Sequence, residues 1–329
     1  MKTVDLHCDT LSEIRRRRKN GEEINFGKNS LHIDLEKLQQ GNYLLQCFAI
    51  YVNLKKEENP LAAALEQADL FREIMNEYSS RIGQVKTWTD LERNRSEGKI
   101  SALLTLEEGG CCAGSLPVLR ILYSLGVRIM TLTWNYENDL AWPNIVPDTL
   151  SGGMNCGPQQ EHGLKEKGFA FLEEMERLGI LIDVSHLSDA GFFDVLQHTK
   201  KPFIASHSNA RALCSHVRNL TDEMIRALAD RGGVMGLNYY GAFLDPSEKA
   251  VSSVKMIAQH ASHIRKVGGI GCLSLGSDFD GISGELEMKN ASFLPMLEEE
   301  LRKQHFTEDE VDLVFRDNAL RVLKGSLPG

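Results

Sequence analysis

The stretch LKEKGFAFLEEMERLGILIDVSH, residues 164–186, contains the unit on which the fold prediction depends. Its first part, Leu164–Leu178, carries apolar residues at helical spacing and stops at Gly179, a residue suited to a helix C-terminus. The apolar run Ile180–Val184 follows directly and predicts a strand, and His186 comes just after it. A helix, a strand and then a metal-type ligand is the unit expected of a (β/α)8 barrel, whose chemistry lies at the C-terminal ends of the strands.

Eight apolar runs can be read along the chain, with helix-like stretches such as Leu116–Leu125 and Thr221–Asp230 between them. Most lack a clean alternation, as expected for parallel strands that are buried on both faces. Strands that alternate with helices predict a parallel sheet, and eight of them predict a closed (β/α)8 TIM barrel. An open doubly wound sheet is expected to have a Gly-rich, phosphate-binding turn after its first strand, and the sequence has none there. The runs are Val4–Leu6, Tyr43–Tyr51, Ile100–Leu106, Arg128–Leu132, Ile180–Val184, Pro202–Ala205, Gly233–Leu237 and Cys272–Leu275.

We expect residues 1–329 to form one catalytic domain, with C-terminal helices from about Glu308 to Leu323 packed outside the barrel. The section Asn138–Gly163 is rich in Gly and Pro and predicts a long loop. Long loops on the catalytic face of a barrel tend to form lids and specificity elements.

The bulk composition excludes several classes of function. A net charge of −9 argues against nucleic acid and anionic membrane surfaces as partners. The basic run Arg15–Lys19 is interpreted as a solvated helix face. Seven cysteines without CxxC spacing suit reduced thiols, and the N-terminus has no apolar segment of a signal peptide, so we expect a cytoplasmic protein. The cysteines are at positions 8, 47, 111, 112, 156, 214 and 272.

Six acid and histidine positions each follow or end a strand-like run. Three histidines and three carboxylates could bind two divalent ions and leave one acid for proton transfer. Two glycines follow Glu108 and would let the backbone turn sharply beside a ligand. Asp278 directly follows its strand and is the better general base, whereas Asp280 is typical of a turn. A catalytically silent barrel would be expected to have lost some of these residues. The six are His7, Asp9, Glu108, His186, His207 and Asp278.

Six sequence blocks in one order resemble the membrane (renal) dipeptidase family, peptidase family M19 of the amidohydrolase superfamily. They are DLHCDT, LEEGG, LGILIDVSHLSDA, SHSNAR, VRN and GSDFDG, and the resemblance extends to NALRVL near residue 323. It implies a (β/α)8 barrel with two zinc ions that hydrolyses dipeptides, including substrates with a C-terminal D-residue. It also points to the bacterial intracellular members, because the signals of the secreted and lipid-anchored members are not found in the sequence.

The resemblance assigns roles to individual residues. Arg218 would grip the substrate carboxylate, and Asp278 would bind the substrate and act as acid and base. Attack would come from a metal-bridging hydroxide, since two ions lower the pKa of a shared water to about 7. The implied metal ligands are His7 and Asp9 for the first zinc, Glu108 as the bridge, and His186 and His207 for the second zinc.

One position departs from the family pattern. Where many members have a histidine that contacts the substrate, this chain has Trp134, whose indole offers only an N–H donor. Asn135, Tyr136 or Asn138 could supply a polar contact instead. The departure keeps a second hypothesis open, an amidohydrolase of the same metal type that acts on a non-peptide amide, lactone or ester. The sequence contains no interface signal, although a homo-oligomer is compatible with it.

Overall fold

A computed structural model describes residues 1–147, 154–155, 157–247 and 250–329. Cys156 and part of the predicted loop 138–163 therefore lie outside the described residues. The strands are β1 (Thr3–Asp5), β2 (Tyr43–Tyr51), β3 (Ile82–Val85), β4 (Ile100–Glu107), β5 (Val127–Thr131), β6 (Val146–Pro147), β7 (Met154–Asn155), β8 (Leu181–Asp183), β9 (Ile204–Ser208), β10 (Val234–Leu237) and β11 (Leu273–Leu275).

Eight of these strands form a closed parallel barrel, which confirms the predicted TIM-barrel fold. Their order around the ring is β1, β2, β4, β5, β8, β9, β10 and β11, and β11 pairs with β1. Each of the eight predicted apolar runs coincides with one of them to within two or three residues at either end. The short strand β3 was not predicted; it pairs with the first half of β4, and β5 pairs with the second half. Strands β6 and β7 form a separate antiparallel pair.

The helices lie between the strands and after the last of them. Short 3-10 turns occupy Gly109–Cys112, Ile270–Cys272 and Ala291–Phe293, and a π-helical turn occupies Leu313–Asp317. The α-helices are α1 (Thr10–Lys19), α2 (Leu35–Gln40), α3 (Pro60–Glu77), α4 (Trp88–Ser96), α5 (Leu116–Leu125), α6 (Glu166–Leu178), α7 (Asp189–His198), α8 (Asp222–Asp230), α9 (Gly241–Leu244), α10 (Val254–Gly268), α11 (Pro295–Lys303), α12 (Glu308–Asp312) and α13 (Asn318–Ser326).

Local sequence signals set the ends of several helices. Helix α6 ends at Gly179, whose φ of 80° is the left-handed conformation that glycine adopts without a Cβ penalty. The Thr221 side chain accepts a hydrogen bond from the Met224 N–H and so caps the first turn of α8. These signals explain why the helix boundaries could be predicted closely.

The C-terminal helix α13 covers the N-terminal end of the barrel. Its Val322 and Leu323 belong to the same buried cluster as Leu103 and Ile204, which are barrel-strand residues. Asn318 donates hydrogen bonds to carbonyls at the start of β11. Because this end is closed by apolar packing, the opposite end of the barrel is the one open for chemistry.

The basic run Arg15–Lys19 lies on helix α1, and each of its five side chains has a carboxylate partner. Arg15, for example, contacts Glu57 at 2.5 Å and Glu66 at 2.6 Å. The run is therefore neutralised locally. The six described cysteines are buried and free of disulfide bonds. Within the described ranges, no helix is both long enough and apolar enough to cross a bilayer.

The barrel strands β9 and β10 approach so closely that Gly236 has no room for a side chain. A Cβ at Gly236 would lie 1.9 Å from the Ser206 carbonyl oxygen, whereas a Cβ at Gly271 would meet nothing within 4 Å. We expect Gly236→Ala to lower the free energy of unfolding by about 1–3 kcal/mol, because β9 and β10 must move apart to make room for the added methyl group. Gly271→Ala is the control for the general effect of a glycine-to-alanine change. Denaturant unfolding of both variants checks the prediction, and equal stabilities would contradict it.

Candidate active site

The C-terminal ends of the barrel strands bring together a compact group of acidic and imidazole side chains. They open into a cavity of about 600 Å³ whose lining includes Tyr51, Trp134, Tyr240 and Phe243. All the residues in the group are at least nine-tenths buried or line this cavity. The group consists of His7 and Asp9 after β1, Glu107 at the end of β4, His186 after β8, His207 in β9 and Asp278 after β11.

The structure places Glu107 in this group, whereas the predicted bridging residue Glu108 points elsewhere. The two carboxylate oxygens of Glu107 face His7 and His186. The Glu108 carboxylate instead accepts hydrogen bonds from the backbone N–H groups of Gly110 and Trp134 and from the Asn138 side chain. Burial raises the pKa of Glu108 to about 7, although these three donors act against that rise. Glu108 thus ties the loop after β5 to the end of β4.

The alternation of side chains along β4 explains this result. Leu103 belongs to the cluster inside the barrel, whereas Leu104 and Leu106 belong to the outer core under the helices. Because strand side chains alternate, Glu107 shares the inner face with Leu103 and points toward the barrel axis. The two faces of ISALLTLEEG can be separated in the sequence, but only the structure shows which of them points into the barrel.

The first half of the site surrounds the Nε2 atom of His7. This atom lies 3.4 Å from Asp9 Oδ2, 3.5 Å from Glu107 Oε2 and 3.9 Å from Asp278 Oδ1. Burial lowers the pKa of His7, but Glu107 and Asp9 outweigh it and raise the pKa well above its usual value. Burial, then the charge of Glu107, raises the pKa of Asp9 to about 6. Burial also raises the pKa of Asp278, and the charges of Asp9 and Glu107 add to that rise.

The second half of the site contains two imidazoles that face each other across the other oxygen of Glu107. His186 Nε2 lies 2.9 Å from Glu107 Oε1 and 3.1 Å from His207 Nε2. Burial lowers the pKa of both histidines well below the usual value, so both are neutral at pH 7. The Nδ1 atom of His186 is 2.8 Å from the Asn135 side-chain oxygen, an acceptor, and therefore carries the proton.

This arrangement fits divalent cations. With its proton on Nδ1, His186 directs an Nε2 lone pair at the carboxylate of Glu107. The buried Nε2 of His7 and Oδ1 of Asp9 have no hydrogen-bond partner in the described part of the chain. Two groups of donor atoms lie close enough to share an ion each, and both include His7: His7 with Glu107 and His207, and His7 with Asp9 and Asp278. Neutral imidazoles and carboxylates are the ligands that zinc takes in hydrolases.

Unusual backbone conformations are concentrated in the same place. Among the described residues, seven other than glycine have a positive φ, and four of them belong to this site or its support. Positive φ costs free energy for such residues and persists where the surroundings fix the backbone. The four are Glu108, His186, Asp278 and Asp280.

Arg218 lies beside the site and is 3% exposed. Its guanidinium group is 3.4 Å from the His207 carbonyl oxygen and 5.6 Å from the centre of the Phe243 ring, which lines the cavity. Its buried Nε–H has no acceptor among the described residues. Burial lowers the pKa of Arg218 to about 10, so the group is charged at neutral pH. A buried cation with an unused donor is suited to an anionic group of a ligand.

Trp134 and Asn135 line the cavity, and Tyr136 packs against the Trp134 ring. The Trp134 ring contacts Tyr51 and Tyr136 edge-on, with ring centres 5.1 and 5.5 Å apart, and it forms an aromatic wall of the cavity with Tyr51. The Asn135 side chain lines the cavity and accepts from His186. Asn138 is bonded to Glu108 and to the Leu132 carbonyl, so its amide is already used.

A closed (β/α)8 barrel with buried histidines and carboxylates at its C-terminal end defines the class of metal-dependent barrel hydrolases. The model of one family, described as membrane dipeptidase (peptidase family M19), matches residues 1–326. This chain therefore belongs to peptidase family M19, and it is a metal-dependent hydrolase that acts on dipeptides.

Individual relatives agree with this assignment. An uncharacterized dipeptidase of Schizosaccharomyces pombe is 33% identical to this chain over 98% of this chain and 80% of the relative. The crystal structure of dipeptidase AC, a metallopeptidase of family M19, is 25% identical with a TM-score of 0.89 and covers 100% of this chain and 99% of its own. A metallopeptidase from Rhodobacter sphaeroides, liganded with a phosphinate mimic of the dipeptide L-Ala-D-Ala, shares the fold, with a TM-score of 0.88, 24% identity and 99% coverage of each chain.

The neighbouring acids Glu107 and Glu108 provide a matched pair for mutation. We expect Glu107→Gln to lower metal binding sharply, because it alters the carboxylate that faces His7 with one oxygen and His186 with the other. Glu108→Gln should retain the metal but lower the free energy of unfolding by about 1–3 kcal/mol, because an amide N–H would face one of three donors. Metal analysis and thermal unfolding of both variants separate the two roles. Metal loss in Glu108→Gln with full binding in Glu107→Gln would reverse the assignment.

Proposed function

We propose that this protein is a binuclear zinc dipeptidase whose two ions share the Glu107 carboxylate. The observation that carries the proposal is the convergence of two buried imidazole nitrogens on the two carboxylate oxygens of Glu107. His7 faces one carboxylate oxygen at 3.5 Å, and His186 faces the other at 2.9 Å. A carboxylate with both oxygens engaged in this way is suited to bridge two cations.

The distances in the site support one assignment of the residues that would hold the ions. His7 and Asp9 would hold one ion and His186 and His207 the other, with Glu107 in place of the predicted Glu108 between them. Bound zinc ions would supply a water of lowered pKa and would polarise the substrate carbonyl group. The buried strand ends of the barrel, with the partners of each ligand side chain, would keep the ligands in position.

Asp278 is proposed to move the proton during hydrolysis. Its Oδ2 accepts a hydrogen bond from the Asn238 side chain at 2.8 Å, which fixes the carboxylate orientation. Its other oxygen faces His7 at 3.9 Å, next to the proposed ions. Burial and the nearby acids raise the pKa of Asp278, and a raised pKa suits a group that takes a proton and passes it to a leaving amine. Proton transfer of this kind contributes about 10²–10⁴ in rate.

The substrate would lie between Arg218 and the aromatic wall. Arg218 follows β9 and would bind the C-terminal carboxylate, whereas Trp134 after β5 and Tyr51 at the end of β2 line the cavity. This arrangement suits a short substrate with one free carboxylate. Trp134 is proposed to contact the substrate through its ring. Asn135 is proposed to act mainly through His186, since its oxygen is already bonded there.

Hydrolysis of a dipeptide panel tests the proposal. The panel contains L- and D-residues at the C-terminal position, including L-Ala-D-Ala, the dipeptide mimicked in the Rhodobacter sphaeroides structure. We expect amino acids to be released by zinc-loaded protein, release to stop after chelation, and release to return when zinc is restored. A protein that binds two zinc ions but hydrolyses esters or lactones in preference to every dipeptide would support the alternative hypothesis.

The role of Arg218 has a separate test. We expect Arg218→Ala to raise KM for dipeptides with a free carboxylate, because charge-assisted hydrogen bonds to the guanidinium group would be lost. Dipeptide amides should be poor substrates of the unmodified protein, and the substitution should change their hydrolysis little. Steady-state kinetics on each acid and amide pair make this comparison. Equal turnover of acids and amides by the unmodified protein would contradict the carboxylate contact.

Several broader expectations stay predictions: one domain over residues 1–329, a cytoplasmic location, a preference for a C-terminal D-residue and assembly as a homo-oligomer.

A further inference from the structure

The buried acid Asp183 lies beneath the site and has no part in the proposed chemistry. It is 1% exposed and sits at the end of β8, three residues before His186. Its Oδ1 accepts hydrogen bonds from the backbone N–H groups of Ser185 and Ser206, at 3.0 and 2.9 Å. Its Oδ2 accepts from the hydroxyl groups of Thr131 and Ser206. Four donors therefore surround a carboxylate that forms no ion pair within the described residues.

One of these donors connects Asp183 to His207. The Ser206 hydroxyl oxygen lies 2.7 Å from His207 Nδ1, and His207 Nε2 faces Glu107 and His186. A hydroxyl group has one proton to donate, and a carboxylate surrounded by four donors can only accept. The Ser206 proton therefore points to Asp183, and the Ser206 oxygen must accept from His207 Nδ1–H. This places the imidazole proton on Nδ1 and leaves the Nε2 lone pair free.

We propose that Asp183, acting through Ser206, is a positioning residue that fixes the tautomer and orientation of His207 for metal binding. The inference rests on the proposed metal site, because it concerns the nitrogen that His207 would offer there. Partners on the far nitrogen of a ligand histidine fix its ring and raise its basicity, and their loss costs about 10- to 100-fold in metal affinity. His186 obtains the same tautomer from the neutral amide of Asn135, at the edge of the cavity.

The variant Asp183→Asn tests the direction of these hydrogen bonds. The two backbone N–H groups at Oδ1 require an acceptor there, so the amide oxygen must take that position. The amide nitrogen would then face Ser206 and donate to its hydroxyl oxygen. The Ser206 proton would then face His207 Nδ1 at 2.7 Å and the more distant Ser185 hydroxyl oxygen at 3.3 Å. Donation to the nearer nitrogen would move the imidazole proton to Nε2. This proton would occupy the position that the metal needs.

Two further variants separate this role from a general effect on the buried network. Ser206→Ala removes the link to His207. Thr131→Val is the matched control, because it also removes a hydroxyl donor to Asp183, at 3.1 Å, but Thr131 is not among the hydrogen-bond partners of His207 in the described part of the chain. Zinc affinity is measured for all three variants and the unmodified protein by competition with a chromophoric chelator. The His207 tautomer is read in the metal-free proteins by ¹⁵N NMR of labelled histidine, with a His207 variant for assignment.

We expect Ser206→Ala to weaken zinc about 10- to 100-fold at one of two sites, whereas Thr131→Val binds as the unmodified protein does. The metal-free protein should show His207 protonated at Nδ1, and Asp183→Asn should move that proton to Nε2. Equal zinc affinities for Ser206→Ala and Thr131→Val would overturn the inference, as would a His207 proton on Nε2 in the unmodified protein. If the unmodified protein binds no zinc, the proposed function fails, and the tautomer measurement still decides the role of Asp183.

Discussion

The structure depends on one electrostatic constraint, the burial of several carboxylates within a few ångströms of one another. Asp9, Glu107 and Asp278 all lie within 4 Å of His7 Nε2, and burial raises the pKa of Asp9 and Asp278. Without a compensating charge, such a group of acids would protonate or separate. A rigid barrel that holds them together, together with the buried Arg218 nearby, is an environment suited to cations and to an anionic substrate.

The barrel meets this constraint by placing its apolar packing at one end of its axis and the polar site residues at the other. Its lower interior is filled by side chains such as Leu103, Ile129 and Ile204, and helix α13 covers that end with Val322 and Leu323. The upper end carries the polar side chains and the positive-φ residues His186 and Asp278. Close packing at the N-terminal end of the barrel holds the strands in fixed positions. The residues at their C-terminal ends can therefore keep backbone conformations that cost free energy.

A second layer of polar groups supports the first. Asn135 is bonded to His186, Ser206 to His207 and Asn238 to Asp278. Glu108 has a related role at the level of the backbone, since its carboxylate ties the segment that carries Trp134 and Asn135 to the end of β4. The two adjacent glutamates therefore have different roles: Glu107 faces the site, and Glu108 holds the loop that carries Trp134 and Asn135.

The amino-acid sequence by itself determined the barrel, the strand ends that carry the site and five of its six central residues. These features depend on local properties, namely apolar runs of strand length, glycines at helix ends and polar residues directly after strands. The tertiary structure decided between Glu107 and Glu108, because it fixed which face of β4 points into the barrel. It also decided the formation of strand β3, which pairs with β4 outside the ring of eight strands. The partners Asn135 and Asp183 were decided only by the tertiary structure, because contacts between β5, β8 and β9 bring together residues that are 23 to 51 positions apart in the chain.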